Sequence, residues 1–279
     1  VIRLLATDVD GTLVHSDHVT ISARTREAFL AASEAGIVVT AVSGRQPYSI
    51  AALVRGTALE GPAIGSNGSV AMHLSTGELF FEEILDVDAQ RTLVEAMRAR
   101  FPGVRAVSVR DGGNTYLAEH GYSGPQDPGA QSAAWEVVHR FADLDEVLAA
   151  GSVKLVLKHD DVEPRALLAA ARELAVPGCH PTISGAPFLE VAREGVTKAS
   201  GLASVCTHLG IDASEVMVFG DNVNDVEMLR WAGVGVAMGN ATPEALAAAD
   251  RVTLTNDADG VAQVIEGLLG DAAHGTPRA

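Results

Sequence analysis

Residues 2–13 read Ile2-Arg3-Leu4-Leu5-Ala6-Thr7-Asp8-Val9-Asp10-Gly11-Thr12-Leu13. A mostly apolar run stops abruptly at acidic residues and glycine. A short apolar run bounded by turn residues is what a strand buried on both faces requires. The acidic residues then fall in a loop at that strand's carboxyl end. The arrangement recurs downstream. Ile37 to Val42 runs into Ser43-Gly44-Arg45, Pro62 to Gly65 into Ser66-Asn67-Gly68, and Glu215 to Phe219 into Gly220-Asp221-Asn222-Val223-Asn224-Asp225.

Helical patterns lie between these strands. Ser22 reads as an N-cap for a helix over 23–35 with Gly36 as its stop, and Pro47 to Leu53 reads as another helix. Helices over 197–209, 223–232, 243–249 and 261–269 alternate with strands over 215–219, 234–238 and 252–254. Repeated strand–helix units imply a parallel sheet covered by helices on both faces. The middle differs. After a hairpin pattern over 70–81, a helix over 87–100, strands over 104–110 and 114–119, a loop over 121–133, a strand over 153–158, a helix over 164–174 and strands over 182–184 and 188–192 follow without strict alternation. The fold class expected is therefore α/β, a Rossmann-like doubly wound core with an inserted α+β domain. The core takes residues 1–83 and 187–279 and the insert takes 84–186. The tail over 271–279 reads as disordered.

The 279 residues carry a formal net charge of −16. Such a chain repels nucleic acid and anionic membrane surfaces, so neither is an expected partner. A phosphate ligand then needs local cations, from side chains or a metal. The two cysteines, Cys179 and Cys206, form no disulfide framework and no zinc site. No apolar run reaches the roughly 20 residues that span a bilayer. No leader pattern is visible, and a cytoplasmic monomer or homodimer is expected.

In open α/β sheets, ligands bind at the carboxyl ends of the strands. The four polar loops fall at that edge, joined by Lys198 at the start of a helix. Converging carboxylates repel one another unless a cation sits among them, and oxygen ligands without His or Cys favour Mg²⁺. Asp8 and Asp221 suit that role. Asp10, two residues on, can turn its side chain toward a substrate while its backbone carbonyl faces the metal.

The stretch Asp8-Val9-Asp10-Gly11-Thr12-Leu13 resembles the first motif of the haloacid-dehalogenase superfamily. Ser43 after its strand resembles the second, Lys198 in Gly195-Val196-Thr197-Lys198 the third, and Gly220 to Asp225 the fourth. The insert between the second and third, with Ser66-Asn67-Gly68, resembles the type-2 cap of the Cof-type subgroup. Ser43 stands where many relatives have Thr, and Asn222 where many have Gly.

The resemblance implies a Mg²⁺-dependent phosphatase acting on a small phosphorylated metabolite, such as a sugar phosphate, nucleotide or cofactor. Asp8 is then the nucleophile, Asp10 the acid–base and Lys198 the cation that offsets charge on Asp8 and the transferring group. Thr12, Ser43, Gly44, Arg45, Asn67 and Asn224 are the expected phosphate- or substrate-binding positions. Asp8, Asp10, Asp221 and Asp225 are the expected metal positions.

Plainer readings stand beside these. Asp8 and Asp10, or Asn224 and Asp225, could cap turns and helices. Ser43 could be a turn residue, and Lys198 and Arg45 solvated cations. Lys154 and Lys158 share one face of a strand, which could be solvated or turned to a substrate. A calcium loop starting at Asp8 is excluded, because Leu13 and Val19 replace the Gly and Glu it needs. Gly233, Gly235 and Gly239 miss the dinucleotide spacing by one residue. A phosphomutase, or a non-catalytic phospholigand-binding protein on the same scaffold, remains an alternative.

Overall fold

Residues 1–123 and 138–274 are described by the computed structural model. In chain order, the first segment holds β1 (Leu4–Thr7), α1 (Ala23–Glu34), β2 (Val38–Val42), α2 (Pro47–Val54), β3 (Pro62–Gly65), β4 (Val70–His73) and β5 (Glu78–Glu82). The middle holds α3 (Val87–Arg100), β6 (Arg105–Arg110), β7 (Thr115–Glu119), β8 (Val138–Ala142), α4 (Leu144–Val147), β9 (Lys154–Lys158), α5 (Pro164–Leu174), β10 (Cys179–Thr182) and β11 (Leu189–Arg193). The last segment holds α6 (Lys198–Leu209), β12 (Val216–Gly220), α7 (Val226–Trp231), β13 (Val234–Ala237), α8 (Pro243–Leu246), β14 (Arg251–Val252) and α9 (Gly260–His274).

β1 sits inside an eight-stranded sheet ordered β14-β13-β12-β1-β2-β3-β4-β5. It pairs parallel with β12 and β2, and only the β3-β4-β5 edge is antiparallel. Every residue of β1 is buried, as the apolar run demanded. Phe29 of α1, Ile50 of α2 and Ile265 of α9 pack on one face of the sheet. Leu202 of α6, Leu229 of α7 and Ala245 of α8 pack on the other. Helices on both faces of a parallel centre make this a doubly wound α/β sheet.

A second, six-stranded sheet runs β10-β11-β9-β6-β7-β8, with α3 and α5 packed on one face. The boundary expected after residue 186 falls one strand too early. β11 pairs antiparallel with β10 and β9, so the smaller sheet extends to Arg193. A short apolar run fits either sheet, and only the pairing partner decides. β8 was not anticipated. Among the described residues it is an edge strand pairing only with β7, and His139 and Arg140 on it are exposed, so its sequence lacks a buried strand's signature. The expected loop over 121–133 lies, beyond Ser123, outside the described residues. The tail differs from expectation too, since α9 continues to His274; residues 275–279 are outside the described part. Among the described residues, no helix is long and apolar enough to cross a membrane.

Candidate active site

Parallel strands deliver their carboxyl ends to one edge of the large sheet, and the expected loops meet there. Asp8 follows β1 directly, with its amide donating to the Phe219 carbonyl of β12 at 2.9 Å. The chain then folds into a tight turn over Val9–Leu13 in which Gly11 takes φ 77°. A Cβ on Gly11 would lie 2.4 Å from Asp221 Oδ2, so only glycine lets the first loop come this close to the last.

Lys198 joins the loops electrostatically. It opens α6 behind its N-cap Thr197, whose side chain accepts from the Ser200 amide. Its Nζ lies 2.6 Å from Asp8 Oδ1 and 2.6 Å from Asp225 Oδ1, fully buried. Burial works against the ammonium charge, but Asp225 and Asp8 outweigh it and hold Lys198 above its ordinary value. Asp225 Oδ2 accepts from the amides of Asp221 at 3.0 Å and Asn222 at 2.9 Å. Asp225 therefore both engages the lysine and shapes the loop that carries Asp221.

Side-chain oxygens of Asp8, Asp221 and Asp225 lie within 4.8 Å of one another. Burial, then the charge of Asp225, pushes Asp221 up to about 7, against Thr12 and Lys198. Asp8 is raised well above the usual carboxylate range by burial first, then by Asp225 and, less strongly, Asp221. One lysine does not neutralise three buried carboxylates. A set of oxygen donors in which the ionised forms are disfavoured fits a hard divalent cation.

Two of the expected positions are engaged by protein partners. The Thr12 hydroxyl donates to Asp221 Oδ1 at 2.9 Å and so orients that carboxylate. The carboxylate of Asp10 lies outside the trio, because Arg45 takes it: Nε donates to Oδ2 at 2.7 Å and Nη2 to Oδ1 at 2.6 Å. Burial alone would raise the Asp10 carboxyl. The hydrogen bonds and charge of Arg45, aided by His18, override it and hold the group below its ordinary range.

The remaining loops close the site. Ser43 is buried, its Oγ accepts from the Arg45 amide at 3.1 Å, and its carbonyl accepts from the Asn67 amide at 3.0 Å. Asn67 has φ 57°, a left-handed conformation that Asn tolerates better than most residues, and its Oδ1 accepts from Asn224 Nδ2 at 2.8 Å. Gly68 at φ 106° packs directly on the Thr197 carbonyl. Gly44 meets two residues of the smaller sheet that the sequence did not single out as site residues. Lys154, left open between solvent and substrate, is buried and donates to the Gly44 carbonyl and to Glu190. Lys158, its companion on the strand, instead pairs with Asp160.

A family model for haloacid dehalogenase-like hydrolases matches residues 5–265. The chain belongs to that family, and it is a phosphatase-type enzyme within it. It is 32% identical over 277 residues to the 5-amino-6-(5-phospho-D-ribitylamino)uracil phosphatase YbjI of Escherichia coli, covering 96% of each chain. It is 31% identical over 256 residues to the HMP-PP phosphatase of Cronobacter sakazakii, covering 88% of this chain and 87% of that one. Among solved structures, the HAD-superfamily phosphatase BT1666 of Bacteroides thetaiotaomicron superposes with a TM-score of 0.75 at 25% identity, covering 95% and 94% of the two chains.

Proposed function

We propose that this protein is a Mg²⁺-dependent phosphatase that hydrolyses small phosphate monoesters through an aspartyl-phosphate on Asp8. The observation that carries this reading is the position of Asp8. It is a buried carboxylate at a strand end, salt-bridged to Lys198 and facing Asp221. The Escherichia coli and Cronobacter sakazakii relatives are named as phosphatases of small phosphorylated compounds, which supports the substrate class. Asp8, Asp221 and the backbone carbonyl of Asp10 would hold Mg²⁺, with Asp225 behind them, and the ion would supply charge stabilisation for the phosphoryl oxygens.

In the first half-reaction, an Asp8 oxygen attacks phosphorus, the ester P–O bond breaks, and Asp10 gives its proton to the leaving alkoxide. In the second, Asp10 takes a proton from water, the water oxygen attacks phosphorus, and the bond to Asp8 breaks to release phosphate. Lys198 and the Ser43 hydroxyl serve the equatorial oxygens, where most of the stabilisation in phosphoryl transfer is available. The Arg45 grip favours ionised Asp10, the form that acts on water. For the acid step, Arg45 must be drawn away, and the arriving phosphoryl dianion is the natural competitor for its guanidinium.

The test is phosphate release from a panel of monoesters, with and without Mg²⁺, by the wild type and Asp8→Asn. Expected is Mg²⁺-dependent release, lowered at least about 10³-fold in the variant. Turnover that survives Asp8→Asn unchanged would defeat the covalent mechanism. Transfer to a second hydroxyl without phosphate release would make the protein a mutase. Binding without turnover would make it a phospholigand sensor.

A further inference from the structure

Side chains alternate along β9 and β11. Leu155, Leu157, Leu189 and Val191 enter the apolar core under α3 and α5, so Lys154 and Glu190 emerge on the opposite face. There Lys154 Nζ donates to Glu190 Oε1 at 2.9 Å and, across the boundary between the two sheets, to the Gly44 carbonyl at 2.8 Å. A Cβ on Gly44 would lie 3.1 Å from Asn67 Oδ1 and 3.3 Å from Glu190 Oε1. The bare backbone is thus where the pair meets the loop carrying Ser43 and Arg45.

Glu190 is only 2% exposed, yet its Oε2 has no hydrogen-bond partner among the described residues. Oδ1 of Asn224, bonded through its Nδ2 to Asn67, is likewise buried without one. Buried polar atoms are normally satisfied, and a charged one left alone is costly. Both atoms are acceptors, so what satisfies them is a hydrogen-bond donor. Glu190 also neutralises Lys154, which leaves the pair no net positive charge to offer a second phosphate.

We propose that Glu190 determines specificity, its Oε2 accepting a hydrogen bond from a hydroxyl on the leaving group of a polyhydroxylated phosphate monoester. Lys154 is the positioning residue. It fixes the carboxylate and ties it to loop 43–45, so recognition of the leaving group is transmitted to the residues that handle phosphate. This rests on the phosphatase reading above.

The test compares kcat/KM for sorbitol 6-phosphate and n-hexyl phosphate, two primary six-carbon esters that differ in leaving-group hydroxyls. The wild type should prefer the sorbitol ester, and Glu190→Gln should reduce that preference at least about tenfold. Lys154→Met combined with Glu190→Leu removes both charges and leaves neither stranded. This double variant should melt cooperatively and lose the preference as well. A preference unchanged in either folded variant, even with both rates lowered together, overturns the proposal and leaves the pair a structural brace. Wild-type preference for the hexyl ester overturns it while the phosphatase reading stands. Release from neither ester, nor from any other in the panel, brings down both.

Discussion

Arg45 holds Asp10 with two nearly parallel hydrogen bonds, Nε to Oδ2 at 2.7 Å and Nη2 to Oδ1 at 2.6 Å, although the loops that carry them leave different strands. The same guanidinium donates to the His18 carbonyl at 2.8 Å, which keeps it in register with the first loop. A fork-to-fork pair of this kind is stronger and more directional than a point-charge contact. It puts the carboxylate proposed as the acid–base group in the grip of the loop after β2.

Arg45→Met should therefore change the pH dependence of the reaction. Burial raises the Asp10 carboxyl and Arg45 lowers it, so removing Arg45 lets the group rise. The base form is then populated only at higher pH. The acid limb of the pH profile for hydrolysis of the phospho-enzyme, followed in single turnover, should move upward, and Arg45→Lys should restore part of the difference. An acid limb that stays in place, or moves to lower pH, would remove Arg45 from control of Asp10.

Lys198→Met should be strongly destabilising. Its ammonium lies between Asp8 and Asp225 with no solvent access. Breaking a buried pair on one side strands the other charges, at a cost of about 3–5 kcal/mol. Urea denaturation should show this loss, and adding Asp225→Asn should recover part of it by removing one stranded carboxylate. If the double variant is no more stable than Lys198→Met alone, charge is not what Lys198 offsets.

Mg²⁺ should stabilise the protein more at high pH than at low pH. Asp221 is pushed up to about 7 in the folded protein, chiefly by burial. An unfolded aspartate titrates near about 4. Between those values the folded protein keeps a proton that the unfolded chain has released. Stability without metal should thus fall as pH rises through that window, by up to about 1.4 kcal/mol per pH unit for one group. Asp8, also raised, acts in the same direction. Mg²⁺ relieves the repulsion among ionised carboxylates, so its increment in Tm should be larger near about pH 8 than near about pH 5.5. An increment that does not vary with pH would argue against the carboxylate trio as the site.

Gly68→Ala should destabilise through backbone strain and a direct clash. The added Cβ would lie 2.0 Å from the Thr197 carbonyl oxygen, at a position with φ 106°. An unfavourable φ alone costs about 1–3 kcal/mol, and the clash pushes α6 and its Lys198 away from Asp8. Thermal melting should fall by several degrees, with Mg²⁺ affinity by calorimetry falling alongside it. Retained stability would show that α6 is not seated on this glycine.

The large sheet could be read locally because each buried strand announces itself as a short apolar run, and the strands' shared direction sends their polar ends to one edge. That is enough to bring Asp8, Lys198, Asp221 and Asp225 into one group. The edge strand β8 carried no such announcement, because exposed strands need no apolar run. β11 read correctly as a strand but not as a member of the smaller sheet, since hydrogen-bond partners lie far away in sequence.

What the amino-acid order determined by itself was the set of acidic, hydroxyl and lysine groups and the strand ends from which they project. These follow from hydrophobic period and turn chemistry, which act over a few residues. Tertiary structure alone decided how those groups spend their hydrogen bonds. Arg45 takes Asp10, Thr12 takes Asp221, and Lys154 crosses from the smaller sheet to the Gly44 carbonyl, 110 residues away in sequence. Donors and acceptors are satisfied by whatever packing brings within about 3 Å, and that distance is set by how whole sheets dock, not by any local pattern.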